Sequence, residues 1–173
     1  MSIEAPLSEK LMLAFRRGVE KHFSKAAQAV NSQLITVSPS CLGFMTSHAI
    51  ITIGVYHGHF PGLCVKLRER RNEETPSVDD SKDIGLINVI AFVDPSAPLP
   101  KQPERFWTEE SLDSELQKLA HALLHYGKPF LIDSTADWIG LRIWLDAKIK
   151  KSLEGMFQKL PSSLKPPKTQ QIQ

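Results

Sequence analysis

Histidine is the residue type whose spacing comes nearest to a chemical site in this chain. His57 and His59, in His57-Gly58-His59, would lie on one side of an extended segment, and His121 and His125 would stand one helical turn apart. Both spacings are used by metal sites. Neither pair carries the glutamate of an HExxH pattern, and Lys118 beside the second pair discourages a cation. The four histidines are therefore read as surface and loop residues, with a metal centre built from His57, His59, His121 and His125 as the competing reading. Cys41 and Cys64 are the only cysteines and share no CxxC spacing, so they read as reduced packing thiols. No GxSxG, GxGxxG or P-loop occurs. Glu109, Glu110, Asp113 and Glu115 gather at a helix start, where carboxylates favour the positive helix end without acid/base work. These patterns designate no catalytic residue and no cofactor.

Cations form the second pattern. In an alternating strand Lys66, Arg68 and Arg70 point one way while Leu63, Val65 and Leu67 take the core side, which concentrates three charges on one exposed face. Such a row either steers a partner or blocks edge-to-edge association, and Lys66, Arg68 and Arg70 are the candidate partner-binding residues. Lys10, Arg16, Arg17, Lys21 and Lys25 occupy the polar faces of the first helix, where solvation explains them and phosphate binding is the alternative.

The elements that must position these residues follow from periodicity. Leu7 to about Val30 repeats Leu11, Phe15, Val19, Phe23 and Ala26 at three- and four-residue steps, an amphipathic helix. Gln33 to Ser38 is a short β-branched strand stopped by Pro39, and Ser40 to Ser47 reads as a turn. Ala49 to Tyr56 and Leu63 to Arg70 form a hairpin around the Gly- and Pro-containing stretch between them. Asn72 to Asp83 holds five acids against one lysine and reads as a mobile loop. Ile84 to Val93 is the most apolar run, read as a buried central strand with a short helix as its competitor. Asp94 to Pro103 is proline-rich and extended. Thr108 caps a second helix with Leu112, Leu116, Leu119, Ala120, Leu123 and Leu124 on its buried side and a stop at Gly127 and Pro129. After the apolar plug Phe130 to Ile132, Ser134 and Asp137 open a third helix with Trp138, Leu141, Leu145, Ile149, Leu153 and Met156 along one face.

These elements specify an α+β fold: an antiparallel sheet of about four strands with an N-terminal helix and two C-terminal helices on one face. At 173 residues and 42% hydrophobic, the chain suits a single domain over residues 1–160, followed by a disordered basic tail over residues 161–173. A net charge of +2 is too small to argue for nucleic acid. No apolar run reaches the roughly 20 residues of a membrane span, and the N-terminus lacks a signal-peptide pattern, so the expected location is the cytoplasm.

The stretch LQKLAHALLHYGKPFLIDS, a leucine-rich helix ending in YG before a short apolar plug, together with the order of elements over Ile50 to Leu145, resembles small uncharacterised bacterial α+β proteins, some of which sit among toxin-immunity proteins. The resemblance implies a non-enzymatic protein that works by binding another protein. A small enzyme or ligand-binding protein, with a pocket between sheet and helices, is the alternative.

Overall fold

A computed structural model describes residues 8–56, 62–72, 74–78, 81–100 and 107–159. Helix α1 (Glu9–Gln28) opens on Ser8, whose hydroxyl accepts from the Leu11 amide at 3.3 Å. It closes where Asn31 turns to φ 56°, and the Ser32 amide reaches back to the Ala27 carbonyl at 2.8 Å. Asparagine tolerates that left-handed conformation, so the chain reverses without a glycine.

Five strands follow as a meander: β1 (Ile35–Ser38), β2 (Cys41–Met45), β3 (Ala49–Tyr56), β4 (Gly62–Glu69) and β5 (Ile84–Gly85). Each pairs antiparallel with the next, in the order β1-β2-β3-β4-β5. The fold is thus α+β, with one antiparallel sheet. The central register sets Ile51 opposite Phe44 and Leu67, and Ile53 opposite Leu42 and Val65. Cross-strand partners share a face, so these six buried residues make the core side of the sheet.

Two sequence expectations are corrected here. The expected turn over Ser40 to Ser47 contains strand β2, leaving Ser40 in the turn after β1 and Thr46 to His48 as the bend before β3. The Thr46 hydroxyl holds that bend by accepting from the His48 and Ala49 amides at 3.1 and 3.0 Å. Gly43 lies within β2 because a side chain there would press the Ile51 carbonyl at 2.5 Å and Pro76 at 3.1 Å. The apolar run from Ile84 is strand for two residues only. From Leu86 to Val93 it is helix α2, with Leu86, Val89 and Ile90 buried. An all-apolar run has no period to separate strand from helix, and the helical competitor prevails.

Thr108 caps α3 (Glu109–Ala122) as expected: its hydroxyl accepts from the Ser111 amide, and the Ser111 hydroxyl accepts from the Thr108 amide. Gly127 and Pro129 do not end the helical path. A π-helical turn, Leu123–Gly127, leads directly into α4 (Lys128–Ile132), and Pro129 falls in the first turn of α4. There its missing N–H costs nothing, and the widened turn ahead of it absorbs the clash a proline brings to a regular helix.

Contacts divide the chain into two compact units, Met1–Asp137 and Trp138–Gln173. In the first, α1 packs against α3 and β2, α2 against β4 and the π turn, and α4 against β3. Gly18 admits the close approach of α1 and α3, since a methyl there would meet Leu116 at 2.6 Å. In the second, α5 (Trp138–Lys159) begins with Trp138 and Leu141 buried. The expected tail from Pro161 lies outside the described residues.

Candidate functional site

The expected row of exposed cations on β4 does not form. Lys66, Arg68 and Arg70 do point to the side away from Leu67, but Arg68 is only 3% exposed. Its Nη2 donates to the Thr75 carbonyl at 2.9 Å, and its Nη1 to the Ser77 hydroxyl at 3.1 Å and to Asp83 Oδ1 at 3.5 Å. Glu74 Oε2 stands 3.8 Å from its Nε. The stretch read as a mobile acidic loop thus folds its described residues over the strand and uses Arg68 as an anchor. An arginine in low dielectric needs several acceptors and a counter-charge, and this stretch supplies both. Lys66 is half-buried in the same row, opposite Thr52 and Gly85. Arg70 takes a different path: its Nη1 donates to the Thr46 carbonyl at 2.8 Å, which ties the end of β4 to the β2–β3 bend.

His57 and His59 lie outside the described residues. His125 is exposed and makes an edge-on ring contact with Tyr126. His121 faces a histidine that sequence reasoning passed over: it lines a cleft of about 390 Å³ between α1 and α3 with His22, Lys21, Lys25 and Gln117. His22 adjoins the apolar stripe of α1, one turn from Val19 and Ala26, and that position is the signal that could have found it. In the same helix pair Asp113 receives Lys21 Nζ at 2.8 Å and binds His22 Nε2 at 2.9 Å. The hydrogen bond from Lys21, then that from His22, holds the Asp113 carboxyl below its ordinary value. Asp113 therefore serves as a fixed anion joining two helices, with its charge already met. Among the described residues no three His, Cys, Asp or Glu side chains come together to hold a metal ion.

Cys41 and Cys64 are not joined in a disulfide and flank Gly54 from the two neighbouring strands. A Cβ on Gly54 would sit 3.8 Å from the Cys41 sulfur and 3.6 Å from that of Cys64. Two strand spacings, roughly 9.5 Å between backbones, keep the pair beyond disulfide reach.

Helix α5 carries several exposed large apolar side chains. The face read from the sequence begins buried at Trp138 and Leu141, but Ile149, Leu153 and Met156 are 49, 46 and 63% exposed, and Phe157 beside them is 47% exposed. These four recur at i, i+4, i+7 and i+8, so they form one strip over the last three turns. The same helix carries Arg142, Lys148, Lys150, Lys151 and Lys159 against only Asp146 and Glu154. Lys148 is drawn over the Trp144 ring, 4.9 Å from its centroid.

No protein-family model, no curated protein and no solved structure matches the chain. No helix among the described residues is long and apolar enough to cross a membrane.

Proposed function

We propose that this chain is a non-enzymatic protein-binding module of the cytoplasm, as its resemblance in layout to immunity-type proteins implies, and that α5 supplies the contact. The observation that supports this reading is the exposed strip Ile149, Leu153, Met156 and Phe157. Its spacing is the one by which a helix lays an apolar face into a groove on another protein. Five cations against two carboxylates on the same helix select the partner: a folded protein whose apolar groove is rimmed by Asp and Glu. The apolar strip supplies affinity, and the lysines of the same helix supply association rate and orientation.

A photo-crosslinking residue at Ser152, beside the strip, would capture the partner in cells of the source organism, after which the purified partner is titrated calorimetrically. Leu153→Asp is expected to weaken binding by at least about tenfold, since it sets a charge in a desolvated contact. Added salt should weaken the wild-type complex further. Crosslinks found only to a second copy of the chain, or equal affinity for wild type and Leu153→Asp, would overturn the proposal.

A further inference from the structure

At the open end of the β3–β4 hairpin, where Ala49 pairs with Glu69, the end of α1, the Thr46 bend and α4 enclose a pocket of about 540 Å³. That volume falls within the range of small-ligand sites. One wall is polar, with Arg70, Thr46, Ser47 and Asn31, and the other is apolar, with Leu131 and Ile132. We infer that this pocket binds a carboxylate carried on a short apolar body, a class of ligand independent of the α5 contact.

Arg70 carries the inference. Its Nη1 is spent on the Thr46 carbonyl, which fixes the plane of the guanidinium. Its Nε is buried and has no hydrogen-bond acceptor among the described residues. A buried N–H without an acceptor is costly and gains from any acceptor that reaches it. The Nε edge of a guanidinium offers two parallel N–H groups, the fork that matches the two oxygens of a carboxylate. Arg68, two residues earlier, also has a buried Nε without a hydrogen bond, but a carboxylate of its own chain, Glu74, stands 3.8 Å away. Among the described residues Arg70 makes no ion pair, and Glu69, the acid next to it in sequence, is engaged elsewhere, with Arg71.

The remaining walls narrow the class. The Thr46 hydroxyl is already used by the His48 and Ala49 amides, so Ser47 and Asn31 are the adaptable polar groups. The apolar wall favours a hydrocarbon body over a sugar or a phosphate.

The test uses the full chain with hexanoate as probe and hexanol as its uncharged counterpart, read by the side-chain Nε–H resonance of Arg70 and by calorimetry. Hexanoate is expected to move the Arg70 resonance saturably, and hexanol to leave it in place. Arg70→Lys keeps the charge and loses the fork, so hexanoate affinity should fall by at least about tenfold. Because Arg70→Lys also loses the Thr46 bond, Ile132→Asp gives a second reading: this residue is half-exposed at the rim, its substitution spares the core, and the new anion should weaken hexanoate by a similar factor. Acetyl-alanyl-leucine with a free or an amidated C-terminus separates the sources. Binding by the free form alone identifies a peptide end as an occupant, and binding by hexanoate without the peptide identifies a free acid. An unmoved Arg70 resonance, equal binding of hexanol, or undiminished binding by Ile132→Asp would overturn the inference.

Discussion

Helices α1 and α5 carry apolar residues at the same three- and four-residue steps, yet Phe15, Val19, Phe23 and Ala26 of α1 are wholly buried, whereas Ile149, Leu153 and Met156 of α5 stand about half exposed. What separates them is the facing element. Helix α1 has α3, brought close by Gly18, with Asp113 gripping Lys21 and His22 and Glu109 gripping Lys10 along the edge. The last turns of α5 have no such cover among the described residues. An apolar stripe therefore states that a face needs covering, and leaves open whether the cover comes from the same chain or from another.

The comparison is broken most directly at Phe23. Phe23→Ala should cost about 3–5 kcal/mol in denaturant unfolding, because a large ring leaves a cavity between helices that can collapse only partly. A cost near that of a surface substitution would show that α1 is not the scaffold helix. Asp113 tests the polar edge of the same contact. Its folded pKa is depressed, so its contribution is fully present above the ordinary value of 3.8 and is lost as pH falls through the folded value. Asp113→Asn should lower stability by no more than about 1 kcal/mol at neutral pH, since the carboxylate is 40% exposed and screened. Its deficit against wild type should shrink below pH 3.8 and vanish only once the pH is below the depressed folded value, and a deficit that persists in stronger acid would mean the asparagine disturbs packing instead. The smallest effect belongs to α5: Leu153→Ala should change stability by less than about 0.5 kcal/mol, the range of surface positions. A cost of several kcal/mol would show the strip to be core after all.

Much of the frame was legible in the residues. The β-branched content of Ala49 to Tyr56 and the alternation of Leu63 to Arg68 gave the central hairpin, the stripe of α1 gave its buried face, and Thr108 announced α3. Strand β2 was hidden because Gly43, which reads as a turn residue, is placed there by the backbone of β3 and by Pro76, both remote in sequence. The side to which Arg68 points was readable from its parity in the strand, but its burial was not, since it depends on where Thr75, Ser77 and Asp83 return. Pro129 read as a stop because the π turn that accommodates it has no simple residue signature. The strip on α5 was visible as a pattern, and its exposure was not. His22 escaped notice because no second histidine lies near it in sequence, and its neighbour His121 comes from a helix ninety-odd residues away.

Strand order that repeats chain order has a kinetic consequence. Each of the described strands hydrogen-bonds only to its neighbours in sequence, so the sheet can assemble through successive short loop closures, each with a modest entropic penalty. The contact of α1 with α3 is the opposite case, joining His22 to Asp113 across 91 positions. Until the helices dock, one side of the newly formed sheet is an uncovered layer of isoleucine, leucine and phenylalanine. The interval between hairpin formation and the docking of the helices is thus the stage at which this chain is most exposed to association with other chains.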